Sequence, residues 1–164
     1  MKKLFGIALL GLCSFQALAQ GPLPVVILED QQAMLESTDP TLEANKKMVY
    51  EFWRLVFNTH DMTLAPNYMR EDYIQHMSGI PTGRAAILHY IDMVAPKGLG
   101  KMPQFARVIA EGDLVMVHFR RDDPNGPVAT MEIFRIKDGQ IAEHWAATEP
   151  IPPADKARNS NGMI

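Results

Sequence analysis

The chain has 164 residues, of which 47% are hydrophobic and 21% charged, with a formal net charge of -3 and a single cysteine. That length fits one domain, and the composition excludes a disordered chain and a collagen-like repeat. The slight acidic excess, without a cluster of Lys and Arg, excludes a nucleic-acid surface.

Lys2 and Lys3 precede an apolar run from Leu4 to Phe15, and Ala17-Leu18-Ala19 follows it. This is the pattern of a cleavable secretory signal. The run is shorter than the ~20 apolar residues that a membrane-spanning helix requires. A cut after Ala19 is expected, leaving Gln20 at the new amino terminus of a periplasmic or secreted protein with no further membrane association. Leu12 stands before Cys13, where a lipidated cysteine normally follows a small residue. Removal of residues 1–19 takes away the cysteine, so stability must come from packing and not from disulfides.

Residues 20–38 read as an extended lead-in, with one strand over Val25–Leu28. Asp39-Pro40 opens a helix, Asp39 as its cap and Pro40 at the first helical position. The helix runs to about Asn58, with Met48, Val49, Phe52, Trp53 and Val56 on its apolar face. A short helix over Met62–Met69, interrupted by Pro66, precedes a short strand, Tyr73–His76. After the Gly79-Ile80-Pro81 break, Thr82 or Gly83 opens a helix over Arg84–Ala95, and Pro96–Pro103 is a loop.

From Gln104 the period changes to two. Phe105–Ala110, Leu114–Arg120, Val128–Ile136 and Gln140–Thr148 read as strands, separated by Gly112-Asp113, Asp123-Pro124-Asn125-Gly126 and Asp138-Gly139 turns. Pro150, Pro152 and Pro153 end the sheet, and Ala154–Ile164 is a polar tail. Helices followed by an antiparallel meander give an α+β domain over 39–153, with helices on one face of a curved sheet.

Several strings are similar to a known family. They are Tyr73-Ile74-Gln75-His76, Gly83-Arg84, Gly112-Asp113-Leu114-Val115-Met116-Val117-His118, Glu132-Ile133-Phe134-Arg135, and Asp138-Gly139-Gln140-Ile141-Ala142-Glu143-His144-Trp145. Over roughly residues 43–153 the chain resembles the SnoaL-like, polyketide cyclase-like proteins of the nuclear transport factor 2-like superfamily. The resemblance implies a cone-shaped domain, a bent sheet wrapped by three helices around an apolar pocket. It also implies a small hydrophobic ligand or substrate, a homodimer paired through the outer sheet face, and cofactor-independent chemistry of cyclase or isomerase type. Two positions depart from the family pattern. Ala146 follows the His-Trp pair where an aspartate is frequent, and Glu132 stands where aspartate is usual.

The last hairpin admits two registers. A three-residue Lys137-Asp138-Gly139 loop, the favoured one, sets Glu132 opposite His144, Thr130 opposite Ala146 and Phe134 opposite Ala142. Met131 then pairs with Trp145 on the reverse face, beside Ile133 and Ile141. A two-residue Asp138-Gly139 loop puts Glu132 and His144 on opposite faces. A carboxylate and an imidazole meeting in an apolar cavity suit proton transfer beside a carbonyl, since burial penalises both charges and pairing offsets the penalty.

On this reading Glu132 is the base and His76 and His144 orient or donate. Trp53, Tyr73, His118, Thr130 and Phe134 shape the substrate pocket. The same residues have structural readings. Glu132 and His144 can satisfy each other on a half-buried sheet, His76 can cap a strand end, and Arg84 can serve its helix start. His118, which alternates with Leu114 and Met116, can be a core histidine, and the two tryptophans can be core aromatics. No His-x-x-x-His or His-x-His pair, Gly-rich phosphate loop or nucleophile elbow is present, so no metal and no cofactor are expected. The alternative to an enzyme is a non-catalytic periplasmic ligand-binding or dimerisation module.

Overall fold

The computed structural model describes residues 29–95, 102–123 and 125–164. The expected signal segment, the strand expected at Val25–Leu28 and most of the expected Pro96–Pro103 loop lie outside them. After a single turn at Ala33–Leu35, helix α1 spans Pro40–Phe52. Asp39 caps it, its carboxylate accepting from the Thr41 and Leu42 amides at 2.8 and 3.4 Å. The helix continues without a break but with a wider winding through Trp53–Asn58. This π-type segment sets Trp53, Val56 and Phe57 into the core.

A turn at Met62–Leu64 leads into the four-residue helix α2, Ala65–Tyr68. Pro66 lies in the first turn of α2, where its missing amide costs nothing, so it starts the helix and does not interrupt it. The chain then enters β1, Met69–Gln75, which is longer than expected at its start. Helix α3 spans Arg84–Val94, and its first residue donates from Nη1 to the Met69 carbonyl at 2.8 Å, tying α3 to β1. Strands β2 (Phe105–Glu111), β3 (Leu114–Asp123), β4 (Gly126–Lys137) and β5 (Gln140–Pro150) follow.

The sheet order is β1-β5-β4-β3-β2. Strands β2 to β5 form the expected antiparallel meander, whereas β1 joins the far edge parallel to β5. Register irregularities interrupt the β1–β5, β2–β3 and β4–β5 ladders, and such bulges bend a sheet. The concave face carries Val115, Val117 and Phe119 of β3 and Thr130, Glu132, Phe134 and Ile136 of β4, all buried. Trp53 stacks on Phe57 at 4.5 Å between ring centroids and meets Phe119 edge-on at 4.9 Å, locking α1 to the sheet. Each fully buried aromatic of this group contributes on the order of 2–3 kcal/mol of apolar transfer.

The last hairpin differs from the favoured register, and the difference matters for the site. Asp138 and Gly139 have φ of 53° and 73°, a two-residue type I′ turn, and Lys137 pairs with Gln140. Ile136 faces Ile141, but Arg135 faces Glu143, so Ala142 is an unpaired bulge residue. The bulge shifts the downstream strand by one position. Phe134 therefore lies opposite His144, Glu132 opposite Ala146, Thr130 opposite Thr148 and Ile133 opposite Trp145. Ile141 and Ala142 are both buried, whereas unbroken alternation would have put Ile141 with Trp145 on the outer face. Glu132 and His144 end on the same face as diagonal neighbours, by a turn and a bulge together and not by a three-residue loop.

Candidate active site

The concave face and the helices enclose a cleft lined chiefly by Phe52, Trp53, Phe57, Met69, Ile87, Ile91 and Phe134. It holds about 520 Å³ of empty space with its open mouth included, and it is narrow: the part wide enough for water is about 40 Å³. Polar groups enter this apolar lining at few points, from Tyr73 of β1, Tyr90 of α3, Arg121 of β3, Glu132 of β4, and His144 and Thr148 of β5.

Glu132 and His144 are each 6% exposed. His144 Nε2 lies 3.5 Å from Glu132 Oε2, close enough to share charge but without hydrogen-bond geometry, so Nε2 has no hydrogen-bond partner among the described residues. The other ring nitrogen is held. His144 Nδ1 is 3.1 Å from Gln75 Oε1, and the same oxygen accepts from the Met77 amide at 3.1 Å. A main-chain N–H can only donate, so this atom of Gln75 must be the oxygen and Nδ1 must carry a proton. Nε2 is thereby left as the site where a proton is gained or lost, next to Glu132.

Gln75 Nε2 donates to the Tyr73 hydroxyl at 3.0 Å. Tyr73 accepts that bond, so its own O–H remains available to the cleft. Burial, with the Glu132 charge adding to it, raises the Tyr73 phenol well above its ordinary value, which keeps it a donor. Trp53, 1% exposed, also lines the cleft, and its indole N–H has no partner among the described residues. The site therefore offers an acid–base pair and two donors in a narrow, largely apolar surround.

Of the expected site residues, the structure brings Glu132, His144, Tyr73, Trp53 and Phe134 to the cleft. Thr130 is buried on the same face with its hydroxyl unpartnered among the described residues, but it does not line the cleft. His76 lies apart. It stacks on Trp145 at 4.3 Å and its Nε2 lies 3.1 Å from Glu143 Oε2, on the outer face of the sheet. Alternation along Tyr73-Ile74-Gln75-His76 already sends His76 opposite to Tyr73 and Gln75.

His118 is also on the outer face, because Val115, Val117 and Phe119 take the inner one. It is neither in the pocket nor in the core. Its Nδ1 accepts from Arg107 at 2.9 Å, and burial followed by the Arg107 charge lowers its basicity, against a hydrogen bond to the Met163 main chain that raises it. Gln75, Tyr90, Arg121 and Thr148 are polar residues of the site to which the sequence alone assigns no role. The period-two placement of Gln75 beside Tyr73 is the signal that could have found it. For Arg121 the signal is the alternation Val115, Val117, Phe119, carried one residue past the strand end expected at Arg120.

The model of the SnoaL-like domain matches residues 49–144, more than half of the chain. The chain belongs to the SnoaL-like family. Solved structures agree on the fold of this SnoaL-like protein. A nuclear transport factor 2-like protein of unknown function from Mesorhizobium loti superposes with a TM-score of 0.55 at 20% identity, covering 70% of this chain and 97% of that one. TsrD from Streptomyces laurentii gives 0.54 at 17% identity, covering 69% and 92%. A provisionally assigned polyketide cyclase from Acidithiobacillus ferrooxidans gives 0.52 at 15% identity, covering 65% and 88%. No curated protein matches the sequence.

Proposed function

We propose that this SnoaL-like domain binds a small, mostly hydrophobic molecule and moves a proton at a carbon next to a carbonyl, as a lyase or isomerase of the aldol or cyclase type. The observation that carries the reading is the Glu132–His144 pair, buried in an apolar cleft with Nδ1 of the histidine locked by Gln75. Glu132 takes the proton from carbon, and His144 Nε2 stands ready to receive or return it. The negative charge that develops on the substrate oxygen meets the free O–H of Tyr73 and the indole N–H of Trp53. Preorganised donors of this kind supply a large share of such catalysis. Ketosteroid isomerase joins the same parts, a carboxylate base and oxygen-directed donors in an apolar site.

Ala146 lies directly opposite Glu132, at the position where the family pattern frequently has an aspartate. The small side chain leaves the cleft open beside Glu132, whose longer reach serves in its place. The amino-terminal signal pattern supports a periplasmic or secreted setting, and the apolar outer face supports pairing with a second copy. Both belong to the proposal.

The test is deuterium uptake. A set of small cyclic ketones is incubated with the protein in deuterated buffer, and exchange beside the carbonyl is followed by NMR. Wild type is expected to exchange at least one ketone that it binds. Glu132→Gln should lower the rate by about 10²–10⁴-fold, the usual worth of a positioned base, and leave ketone binding in place. Binding without exchange of any ketone would favour the non-catalytic binding module, which the alanine at 146 also suits.

A further inference from the structure

Arg121 takes no part in the proton chemistry, yet it lines the same cleft. The alternation Val115, Val117, Phe119 carries it onto the concave face near the end of β3, opposite Val128. It also lines an adjoining cleft with Phe57, Tyr90, Met93, Val94 and Asp123, so it stands where the two spaces meet. Its Nε and Nη2 donate to the two carboxylate oxygens of Asp123 at 2.6 and 3.0 Å. Nη1 has no hydrogen-bond partner among the described residues.

The neighbouring pair shows what an ordinary strand-end ion pair looks like here. Arg120 and Asp122 have the same spacing and a similar fork, but they point outward, with side chains 55% and 78% exposed. Arg121 and Asp123 are 23% and 31% exposed. Turning a guanidinium inward costs desolvation that the outward pair avoids. Burial opposes the charge of Arg121, but the Asp123 hydrogen bonds and the Asp123 and Glu132 charges outweigh it and keep the guanidinium protonated. Asp123 fixes the plane of the group and leaves one edge of two N–H donors open. That edge matches a planar anion.

Resting on the reading of the cleft given above, we propose that its ligand carries a carboxylate, which Arg121 receives through Nη1 while the apolar body extends to the Glu132–His144 pair. Val128, which faces Arg121, is four residues from Glu132 along β4, or roughly 13 Å of strand. The ligand is thus an apolar acid with its carboxylate at the Arg121 end of the cleft and its reactive carbon beside Glu132. Arg121 is a specificity-determining residue on this view, and the base is elsewhere.

The test uses two probes of the same shape, 3-phenylpropanoate and its neutral amide 3-phenylpropanamide, titrated against the full chain by NMR. Wild type is expected to bind the acid about tenfold tighter than the amide, the worth of one charge-assisted contact. Arg121→Gln should abolish the preference, weakening binding of the acid by about tenfold more than binding of the amide. Asp123→Asn keeps the cation and removes a competing anion, so it should increase the preference; it serves as the second variant if Arg121→Gln does not fold. Equal affinity for acid and amide in wild type would overturn the proposal and leave ligand binding in the cleft standing. A preference for the acid that survives in Arg121→Gln would also overturn it. Binding of neither probe would overturn both this proposal and the reading of the cleft as a binding site.

Discussion

The proton on His144 Nδ1 is fixed by a main-chain amide that the histidine never touches. Met77 N–H claims Gln75 Oε1, and the amide so oriented accepts from Nδ1. Neutral His144 is therefore expected as the Nδ1–H tautomer, which nitrogen chemical shifts distinguish from the Nε2–H form. Gln75→Leu should release this constraint and give a mixture; an Nε2–H tautomer in wild type would remove the basis for placing the reactive nitrogen beside Glu132. Tyr73 offers a second check. Its phenol is raised in the folded state, so above the ordinary tyrosine value near 10 the unfolded chain loses a proton that the folded chain keeps. Fewer protons on the unfolded state means that stability falls as pH rises beyond that point. Tyr73 is expected to ionise only together with unfolding, as a missing step in the phenolate absorbance of the folded protein, and Tyr73→Phe should flatten the alkaline loss of stability.

The β4–β5 hairpin shows at the level of one element what the sequence does and does not disclose. Asp138-Gly139 marks the turn, and both residues take positive φ. Gly139 has no neighbour within 4 Å of where a Cβ would stand, so Gly139→Ala tests the backbone alone. A loss of about 1 kcal/mol is expected, readable as a lowered Tm, since a left-handed conformation costs an L-residue that much. The bulge at Ala142 is not legible. A bulge leaves no residue type behind it, and Ala142 is as compatible with either face as any alanine. Alternation counted from the turn therefore gives the wrong partner for Glu132, although long periodic segments such as α1 and β2 to β5 can be read within a few residues. Side-chain direction is legible where alternation is unbroken, as at Tyr73, Gln75 and His76. The parallel placement of β1 beside β5 is hidden because its pairing depends on residues far along the chain.

At the scale of the whole molecule, the two faces of the sheet differ in character. The concave face closes over the cleft, while the outer face carries a cross-strand row of Ile109, Met116, Ile133 and Trp145 over four adjacent strands. Ile109, Met131 and Ile133 are 52%, 50% and 37% exposed, and neighbouring strands set them close together on this face. Charge is moved to its margins: Arg135 binds Asp113 and Glu143 and lies over the Trp145 ring, and Arg107 holds His118. Such a face, apolar in the middle and ion-paired at the rim, suits a two-fold related second copy that presents the same row in reverse. Sedimentation is expected to show a dimer. Ile133→Glu should give a monomer, because each copy would bring an unpaired carboxylate into the apolar middle of the interface. The cleft lies on the other side of the sheet, so the monomer should keep its circular dichroism and its binding of 3-phenylpropanoate. A wild-type protein that sediments as a monomer at high concentration would remove the dimer from the proposal, and the outer row would then need another partner.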